Sequence, residues 1–345
     1  MTLAVVIHAP HDLRIGEMET PAPNRGQVQV RIAAGGICGS DLHYYHEGGF
    51  GVVRIKEPMA LGHEVSGTIT ALGEGVSHLA PGQKIAVNPS RPCNACVYCL
   101  RGMQNHCVDM LFYGSAMRFP HVQGAFRQTL TCEAAQAVPV AQATSLGEAA
   151  FGEPLAVCLH AIRRAGDLVG ARVLITGAGP IGMLTALGAR RAGAAEIVMT
   201  DVAEAPLALA RKIVADAAVN TAASPTGLTP YEVNKGVFDV MFECSGNQRA
   251  FTGALAAVRP RGVIVQIGIG GEFTIPINTI VGKEIDLRGT FRFHEEFATA
   301  VRFIERRLID VRPLLTETVP LAEAVRGFQL ASDRSKAMKV QISFE

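Results

Sequence analysis

The sequence predicts an α/β protein that combines a β-rich, barrel-like part with a doubly wound parallel sheet. Through the first 150 residues, short segments of alternating polarity are bounded by Gly and Pro, a pattern typical of all-β structure. From about residue 170 onward, apolar strand-like runs alternate with helical stretches, as in a parallel sheet covered by helices. A chain of 345 residues is also long enough for two domains.

The individual elements follow from local periodicity. Alternation in the first part predicts strands at residues 28–32, 65–72 and 84–87. Apolar runs in the second part predict strands at residues 172–176, 196–200, 238–243, 263–267 and 284–289. Helical spacing of apolar residues predicts a helix at 297–308, and alternation at 338–344 predicts a strand that rejoins the first part.

Composition narrows the class of protein. The 32 basic and 31 acidic residues leave a net charge of +1, so we expect neither a nucleic-acid partner nor a membrane surface. The most apolar stretch, residues 173–189, is shorter than the roughly 20 residues that span a bilayer. The first residues show no basic and apolar leader, so we expect a cytoplasmic protein without a disulfide framework. Cys132, Cys158 and Cys244 stand among apolar residues and are expected in the core.

Four cysteines lie close together in the chain, at spacings of three, three and eight residues. Four thiolates so spaced can surround one tetrahedral cation, and a site closed by four cysteines is typical of structural zinc. The sequence therefore predicts a structural zinc lobe at residues 91–110, with the ligands Cys93, Cys96, Cys99 and Cys107.

A second group of metal-ligand residue types is spread along the chain: Cys38, His63, Glu64 and Glu153. One thiolate, one imidazole and carboxylates leave a coordination position open, which is typical of a catalytic zinc. Such a zinc acts as a Lewis acid toward an alcohol. Two residues that follow Cys38 are candidates for a relay that carries the alcohol proton away, Ser40 and His43.

A glycine-rich segment follows the first predicted parallel strand. It reads Gly177-Ala-Gly179-Pro180-Ile181-Gly182, and Asp201 stands 19 residues after Gly182, at the end of the next strand. The glycines permit a tight turn and close approach to a pyrophosphate, which the following helix N-terminus stabilises. Asp201 would accept hydrogen bonds from a ribose and repel a 2′-phosphate, and residues 202–204 contain no base. The sequence therefore predicts NAD as the cofactor, with NADP disfavoured.

These motifs resemble one family along essentially the whole chain. Segments 36–41, 62–64 and 153–155, the zinc lobe and the glycine-rich segment together resemble the zinc-dependent medium-chain dehydrogenase/reductase family, in its polyol (sorbitol) dehydrogenase branch. The resemblance implies a GroES-like β-barrel catalytic domain from residues 1–148 and 291–345, and a Rossmann NAD-binding domain at 149–290. It further implies two zinc ions per subunit and a homotetramer or homodimer, in which the predicted strand at 284–289 could pair across a dimer axis.

The resemblance also implies roles for individual residues. Either Glu64 or Glu153 ligates the catalytic zinc directly, and both remain candidates. Further cofactor contacts are implied at Ser245, Ile267, Ile269, Phe291 and Arg292. Contacts with a small-molecule substrate are implied at Tyr44, Tyr113, Arg118, His121 and Arg292.

Three stretches, residues 35–45, 113–124 and 288–293, are especially similar to branch members that reversibly oxidise the hexonate L-idonate to 5-dehydro-D-gluconate. The sequence departs from the sorbitol dehydrogenases at Phe293, where they tend to carry Tyr, and in its basic segment 117–121. Arg118, His121 or Arg292 could meet a carboxylate. We therefore expect an aldonate to be preferred over an alditol, with a sorbitol- or xylitol-type polyol dehydrogenase as the alternative.

Two non-enzymatic interpretations are also possible, and the number of zinc ions per subunit distinguishes them from an enzyme. A zinc ribbon that binds nucleic acid would suit the four cysteines, but no basic stripe surrounds them. A dinucleotide-binding scaffold without catalysis would not need every candidate ligand and both relay residues. About two zinc ions per subunit indicate the enzyme and one indicates a scaffold.

Overall fold

The computed structural model describes the whole chain, residues 1–345, as two compact units. The first unit comprises Met1–Glu153, His294–Asp333 and Lys339–Glu345. The second comprises Pro154–Phe293 and Arg334–Met338. The first unit is thus built from both ends of the chain and the second mainly from its middle.

The N-terminal segment of the first unit is rich in strands. In its longest strand Val28, Val30 and Ile32 are fully buried and the residues between them are not, which is the alternation of a one-faced strand. The strands are β1 (Thr2–Ala9), β2 (Asp12–Met18), β3 (Gln27–Gly36), β4 (Gly49–Phe50), β5 (Val53–Arg54), β6 (Met59–Ala60), β7 (Glu64–Leu72), β8 (Lys84–Val87), β9 (Ser90–Arg91), β10 (Leu111–Phe112), β11 (Thr129–Glu133) and β12 (Ala137–Pro139). Its helices are α1 (Gly39–Glu47) and α2 (Leu146–Ala149).

The second unit is a six-stranded sheet whose strands alternate with helices. Its elements are α3 (Gly152–Ala165, which starts at the boundary), β13 (Arg172–Thr176), α4 (Pro180–Arg191), β14 (Glu196–Asp201), α5 (Glu204–Ile213), β15 (Ala217–Asn220), β16 (Phe238–Glu243), α6 (Gln248–Ala254), β17 (Val258–Gln266), α7 (Ile277–Gly282) and β18 (Asp286–Gly289). All neighbouring strands are parallel, in the order β15-β14-β13-β16-β17-β18. The order reverses between β13 and β16, so the predicted doubly wound sheet is confirmed.

The chain then returns to the first unit through α8 (Glu296–Glu305), β19 (Leu315–Pro320), α9 (Ala324–Ser332) and β20 (Lys339–Ser343). β20 pairs antiparallel with β3 and parallel with β19. The resulting sheet has the order β12-β8-β7-β3-β20-β19, with β11 also paired to β3. The C-terminal strand therefore rejoins the first part, as predicted.

Several predicted boundaries differ from the structure; for example, β3 ends at Gly36 rather than residue 32, and β18 begins at Asp286 rather than residue 284. β17 begins at Val258 rather than residue 263, because its first residues include Pro260 and Gly262, which interrupt the apolar pattern. α8 ends at Glu305 rather than residue 308, since Arg307 adopts a left-handed conformation with φ of 55°. No helix in the chain has both the length and the apolar character needed to cross a membrane.

Candidate active site and metal centres

Adjacent strands of the first unit bring metal-ligand residues together. Cys38 lies just past β3, His63 directly precedes β7, and Glu64 is the first residue of β7. β3 and β7 are antiparallel, with Gly36 opposite Glu64. The Cys38 Sγ and one ligand atom each from His63 and Glu64 lie within 4.8 Å of one another. A single ion can therefore contact all three side chains.

Two glycines make room for these ligands. A Cβ atom at Gly36 would lie 2.2 Å from Glu64 Oε2, so any other residue would displace that carboxylate. Gly62 has φ of +92°, and a Cβ atom there would lie 2.1 Å from the Phe126 ring. The local sequence thus permits the close approach that the cluster needs.

Asp41 joins the two segments that carry the ligands. This fully buried carboxylate accepts hydrogen bonds from the Cys38 N–H at 3.0 Å and from the Gly62 N–H at 3.2 Å. Its Oδ1 lies 3.8 Å from His63 Nδ1. Asp41 therefore caps α1 and lies beside the ring of a candidate ligand, as partners of metal-bound histidines do. Its sequence signal is an acid three residues after a helix N-cap.

The donor set fits a zinc ion. Glu64 Oε1 is buried without a hydrogen-bond partner. An unpaired buried polar atom costs roughly 1–3 kcal/mol, and a bound cation would remove that penalty. Thiolate, imidazole and carboxylate together are also the ligand types that zinc prefers.

Lys339, the first residue of β20, adds a buried cation. Its Nζ forms an ion pair with Glu64 Oε2 and donates a hydrogen bond to the Ile37 carbonyl at 2.9 Å. Burial acts to lower the pKa of Lys339, but the charges of Glu64 and Cys38 outweigh it and raise that pKa. The sequence signal for this residue is a lysine within the predicted strand 338–344.

Burial also changes the acidity of two candidate ligands. Desolvation, followed by the charge of Glu64, raises the pKa of the Cys38 thiol to about 12. Burial raises the pKa of Glu153, in the first turn of α3, to about 8, against a smaller lowering by His63. Glu153 lies outside the group of ligand atoms within 4.8 Å of one another. Without a metal ion, the Cys38 thiol and most of Glu153 are therefore protonated at pH 7.

Zinc binding at this site should release protons. Because the Cys38 thiol must ionise to bind a metal, we expect wild-type protein to release at least about one more proton per subunit at pH 7 than Cys38→Ala. Zinc titrations of metal-depleted protein in two buffers of different ionisation enthalpy measure that difference. Equal release by both proteins would contradict a metal-binding Cys38.

The two relay candidates lie on α1. Ser40 hydrogen-bonds Cys38, an interaction that lowers the thiol pKa against the larger effect of burial. His43 Nδ1 lies 3.5 Å from Glu47 Oε1, and the His43 side chain is 43% exposed. Ser40 therefore contacts a candidate ligand and His43 reaches solvent, and a proton relay through these two residues stays a prediction.

The four lobe cysteines also converge, with their Sγ atoms within 4.8 Å of one another. The Cys96 N–H points to Cys93 Sγ at 3.3 Å, and the Asp109 N–H points to Cys107 Sγ at 3.3 Å. Backbone N–H groups, first that of Cys99, lower the pKa of Cys96 to about 6. A cluster of four thiols with one inclined to ionise suits a closed zinc site. All eight cysteines are free, Cys132 and Cys158 are buried, and Cys244 is partly buried.

The two tyrosines predicted to contact substrate have protein partners. The Tyr44 hydroxyl accepts a hydrogen bond from the Ala116 N–H at 3.0 Å. The Tyr113 hydroxyl donates to Gln136 Oε1 at 3.3 Å, and burial raises the pKa of Tyr113. Tyr44 thus fixes the start of the predicted substrate segment 113–124.

His121 is a structural residue in this segment. Its Nε2 accepts a hydrogen bond from the Lys56 N–H at 2.8 Å, so its Nδ1 carries the proton and donates to the Arg118 carbonyl, also at 2.8 Å. The ring is buried, with both nitrogens engaged by the backbone. A substrate contact by His121, which the resemblance implies, stays a prediction and would require one of these two hydrogen bonds to break. Arg118, in contrast, is half-exposed and pairs with exposed Asp109 at 2.6 Å.

In the second unit, the glycine-rich segment lies between β13 and α4. Gly177 has φ of +89°, Gly179 is the N-cap of α4, and Pro180 is its first residue. Asp201, at the end of β14, accepts hydrogen bonds from the Ala178 N–H at 2.8 Å and the Ala203 N–H at 3.0 Å. Each carboxylate oxygen has a second lone pair, so a ribose could still bind there.

The other predicted cofactor residues follow the ends of the next strands. Ser245 follows β16, Ile267 and Ile269 follow β17, and Phe291 and Arg292 follow β18. Ile269 is 68% exposed. The Arg292 guanidinium lies 5.0 Å from the Phe291 ring. These residues therefore stand at the edge of the sheet where parallel α/β sheets bind their ligands.

Family comparisons agree with both units. The model described as "Alcohol dehydrogenase GroES-like domain" matches residues 24–142, and that described as "Zinc-binding dehydrogenase" matches residues 180–306. The chain belongs to the zinc-dependent medium-chain dehydrogenase family, and it resembles the polyol dehydrogenase branch of that family as predicted. It is an oxidoreductase whose cofactors are zinc and NAD(P).

Individual relatives cover nearly the whole chain. It is 43% identical over 344 residues to L-idonate 5-dehydrogenase (NAD(P)(+)) from Escherichia coli K12, covering 99% of both chains. It is 34% identical to human sorbitol dehydrogenase, covering 95% of this chain and 92% of that one. The crystal structure of L-idonate 5-dehydrogenase from E. coli K-12 superposes with a TM-score of 0.95 at 42% identity, covering 99% of this chain and 98% of that one.

Proposed function

We propose that this protein oxidises a secondary alcohol of a hexonate, L-idonate to 5-dehydro-D-gluconate, reversibly and with NAD. The observation that carries the proposal is the cluster of Cys38, His63 and Glu64, whose ligand atoms lie within 4.8 Å of one another. It occurs in a chain 43% identical over its length to an L-idonate 5-dehydrogenase.

In this proposal, different side chains at the cluster bind the metal ion and handle the proton. When bound, zinc supplies the Lewis acidity that makes an alcohol proton easier to lose. Cys38 and His63 bind the ion, and we propose Glu64 as the third ligand because its oxygen belongs to the cluster and that of Glu153 does not. Glu153, with its pKa raised to about 8 by burial, can hold or release a proton near neutral pH. Ser40 and His43 carry the alcohol proton to solvent.

The preference for an acid substrate is assigned to Arg118. Its ion pair with Asp109 is exposed on both sides, and such pairs contribute only about 0–1 kcal/mol. A substrate carboxylate can therefore take the place of Asp109 at little cost.

Arg118→Ala should lower kcat/KM for L-idonate by about ten- to a hundredfold, because a charge-assisted hydrogen bond is worth roughly 1.5–3 kcal/mol. The values for sorbitol and xylitol should hardly change. Asp109→Asn is the matched control, since it frees the guanidinium and should leave L-idonate turnover equal or faster. An equal loss for acid and polyol substrates would contradict this role of Arg118.

A polyol dehydrogenase is the second candidate, supported by 34% identity to human sorbitol dehydrogenase. Specificity constants for a panel of hexonates, ketogluconates and polyols, with NAD(H) and NADP(H), separate the two. We expect the highest specificity constant for L-idonate with NAD. If kcat/KM for sorbitol exceeds that for L-idonate by more than about tenfold, equal to 1.4 kcal/mol, the protein is a polyol dehydrogenase.

We further propose a cytoplasmic homodimer or homotetramer with two zinc ions per subunit. β18 pairs only with β17, so its outer edge is unpaired within the chain, and Leu287 on it is 40% exposed. Unpaired apolar edges are common sites of strand pairing between subunits. Light scattering and metal analysis test the subunit number and the zinc content.

A further inference from the structure

Glu243, the last residue of β16, is a fully buried carboxylate that the reaction does not use. Its Oε1 accepts hydrogen bonds from the Thr176 hydroxyl at 3.2 Å, from the Ser245 N–H at 3.0 Å and from the Ser245 hydroxyl. Its Oε2 accepts from the Gly246 N–H at 3.0 Å and from the Gln266 side-chain amide at 2.6 Å. Five neutral donors thus surround one buried carboxylate.

These donors come from the ends of three adjacent strands. Thr176 is the last residue of β13 and directly precedes Gly177, the first glycine of the glycine-rich segment. Gln266 is the last residue of β17. The bond between Thr176 and Glu243 spans the neighbours β13 and β16, between which the strand order reverses. Ligands of open α/β sheets bind at the carboxyl ends of the strands at this reversal.

The backbones of the three loops are in close contact. A Cβ atom at Gly177 would lie 2.9 Å from Ser245 Cα, and one at Gly268 would lie 2.1 Å from the Gly246 nitrogen. The Gln266 amide also donates to the Gly268 carbonyl at 2.8 Å. The position of each loop therefore depends on the other two. Glu243 accepts hydrogen bonds from residues at the start of all three loops: Thr176 before the first, Ser245 and Gly246 in the second, and Gln266 before the third.

We propose that Glu243 is a positioning residue of the NAD site, which holds the three loops after β13, β16 and β17 at the spacing that the dinucleotide requires. This inference rests on the proposed role of the glycine-rich segment in cofactor binding. It also reassigns Ser245. The Ser245 hydroxyl donates to Glu243 and accepts from the Asn247 N–H at 3.1 Å, so it acts in the same network rather than as a free contact for the cofactor.

A glutamine at this position tests the hydrogen bonds of Glu243 without changing the size of the side chain. Glu243→Gln keeps the side-chain size but replaces one acceptor oxygen with an amide group that only donates. In either orientation the new amide faces a backbone N–H, that of Ser245 or that of Gly246. The loops must then separate or leave a buried donor unpaired.

The matched control is Asp239→Asn, at the opposite end of the same strand. The Asp239 carboxylate also joins neighbouring strands, since it accepts from the Arg172 N–H at 2.7 Å and from Arg259 Nε at 2.6 Å. Because the chain contains no Trp, the fluorescence of NADH itself reports binding without a protein signal from tryptophan. The NADH dissociation constant, Tm, zinc content, kcat and KM are measured for each variant.

For Glu243→Gln we expect the NADH dissociation constant and the KM for NAD to rise about ten- to a hundredfold. kcat at saturating NAD should fall less than about threefold, and zinc content should stay at the wild-type value. Asp239→Asn should leave NADH affinity within about twofold, because its hydrogen bonds lie at the opposite end of the strand from the three loops. Thr176→Val, which removes one donor only, should weaken NADH binding to an intermediate degree.

Wild-type affinity in folded Glu243→Gln overturns the proposal, as does an equal loss of affinity in Asp239→Asn. If Glu243→Gln does not fold, Thr176→Val decides, and unchanged NADH affinity in that variant overturns the proposal. Failure of the wild-type protein to bind NADH would refute the proposed function itself. That outcome is distinct from failure of the positioning role alone.

Discussion

Cys38→Ala is expected to lower kcat/KM for L-idonate by at least about a thousandfold, because the loss of a ligand removes several kcal/mol of Lewis-acid stabilisation. The variant should remain folded. Asp41 accepts from the backbone N–H of residue 38, which the substitution retains, so this half of the capping box at the start of α1 remains. Initial rates, circular dichroism and metal analysis together test this expectation. One zinc per subunit should remain, at the four-cysteine lobe.

Cys132→Ala is the matched control for this variant. Cys132 is a buried cysteine of β11 and belongs to neither metal-ligand group. Its loss should reduce stability slightly and leave turnover and both zinc ions in place. Normal turnover in Cys38→Ala would refute the assignment of the catalytic site.

Cys96→Ser should instead damage the fold. The lobe has little core of its own, since Leu100 and Val108 on it are 75% and 71% exposed. The metal must therefore supply the cohesion that apolar side chains do not. Structural zinc in small domains contributes about 10 kcal/mol or more, and in this larger unit we expect a loss of at least about 3 kcal/mol in the free energy of unfolding. Urea unfolding with metal analysis measures it.

The two cysteine variants should differ in what they retain. Freshly prepared Cys96→Ser at low temperature should keep the zinc of Cys38 and His63 and a measurable rate. Cys38→Ala should keep its stability and lose its rate. If Cys96→Ser showed wild-type stability together with wild-type zinc content, the lobe would not be a metal centre.

Much of the fold is predictable because its signals are local. The centres of β13 and β16, residues 173–175 and 240–242, are apolar and buried, as in strands covered on both faces, and both strands match the predicted ranges. The lobe cysteines and the glycine-rich segment are also short-range patterns. In each of them, the residues that act together are close in the sequence, so their spacing is enough to predict the site. β17 is less regular at its start, and there the prediction was several residues late.

The residues that support the site were not predictable in the same way. Lys339 meets Glu64 only because β20 and β7 both lie next to β3, and they come from opposite ends of the chain. Asp41 and Glu243 act through hydrogen bonds to several segments that are distant in the sequence and come close only in the folded protein. The engagement of both His121 nitrogens by the backbone is likewise a tertiary effect that the sequence does not show.

The central claim is that Cys38, His63 and an acidic side chain hold the zinc that acts on the substrate. Anomalous diffraction at the zinc absorption edge, from crystals of the native protein, tests it most directly. We expect two peaks per subunit: one among the four lobe cysteines, and one at about 2.3 Å from Cys38 Sγ and about 2.0–2.1 Å from a His63 nitrogen. A single peak in the lobe, or a second peak distant from Cys38, would contradict the claim.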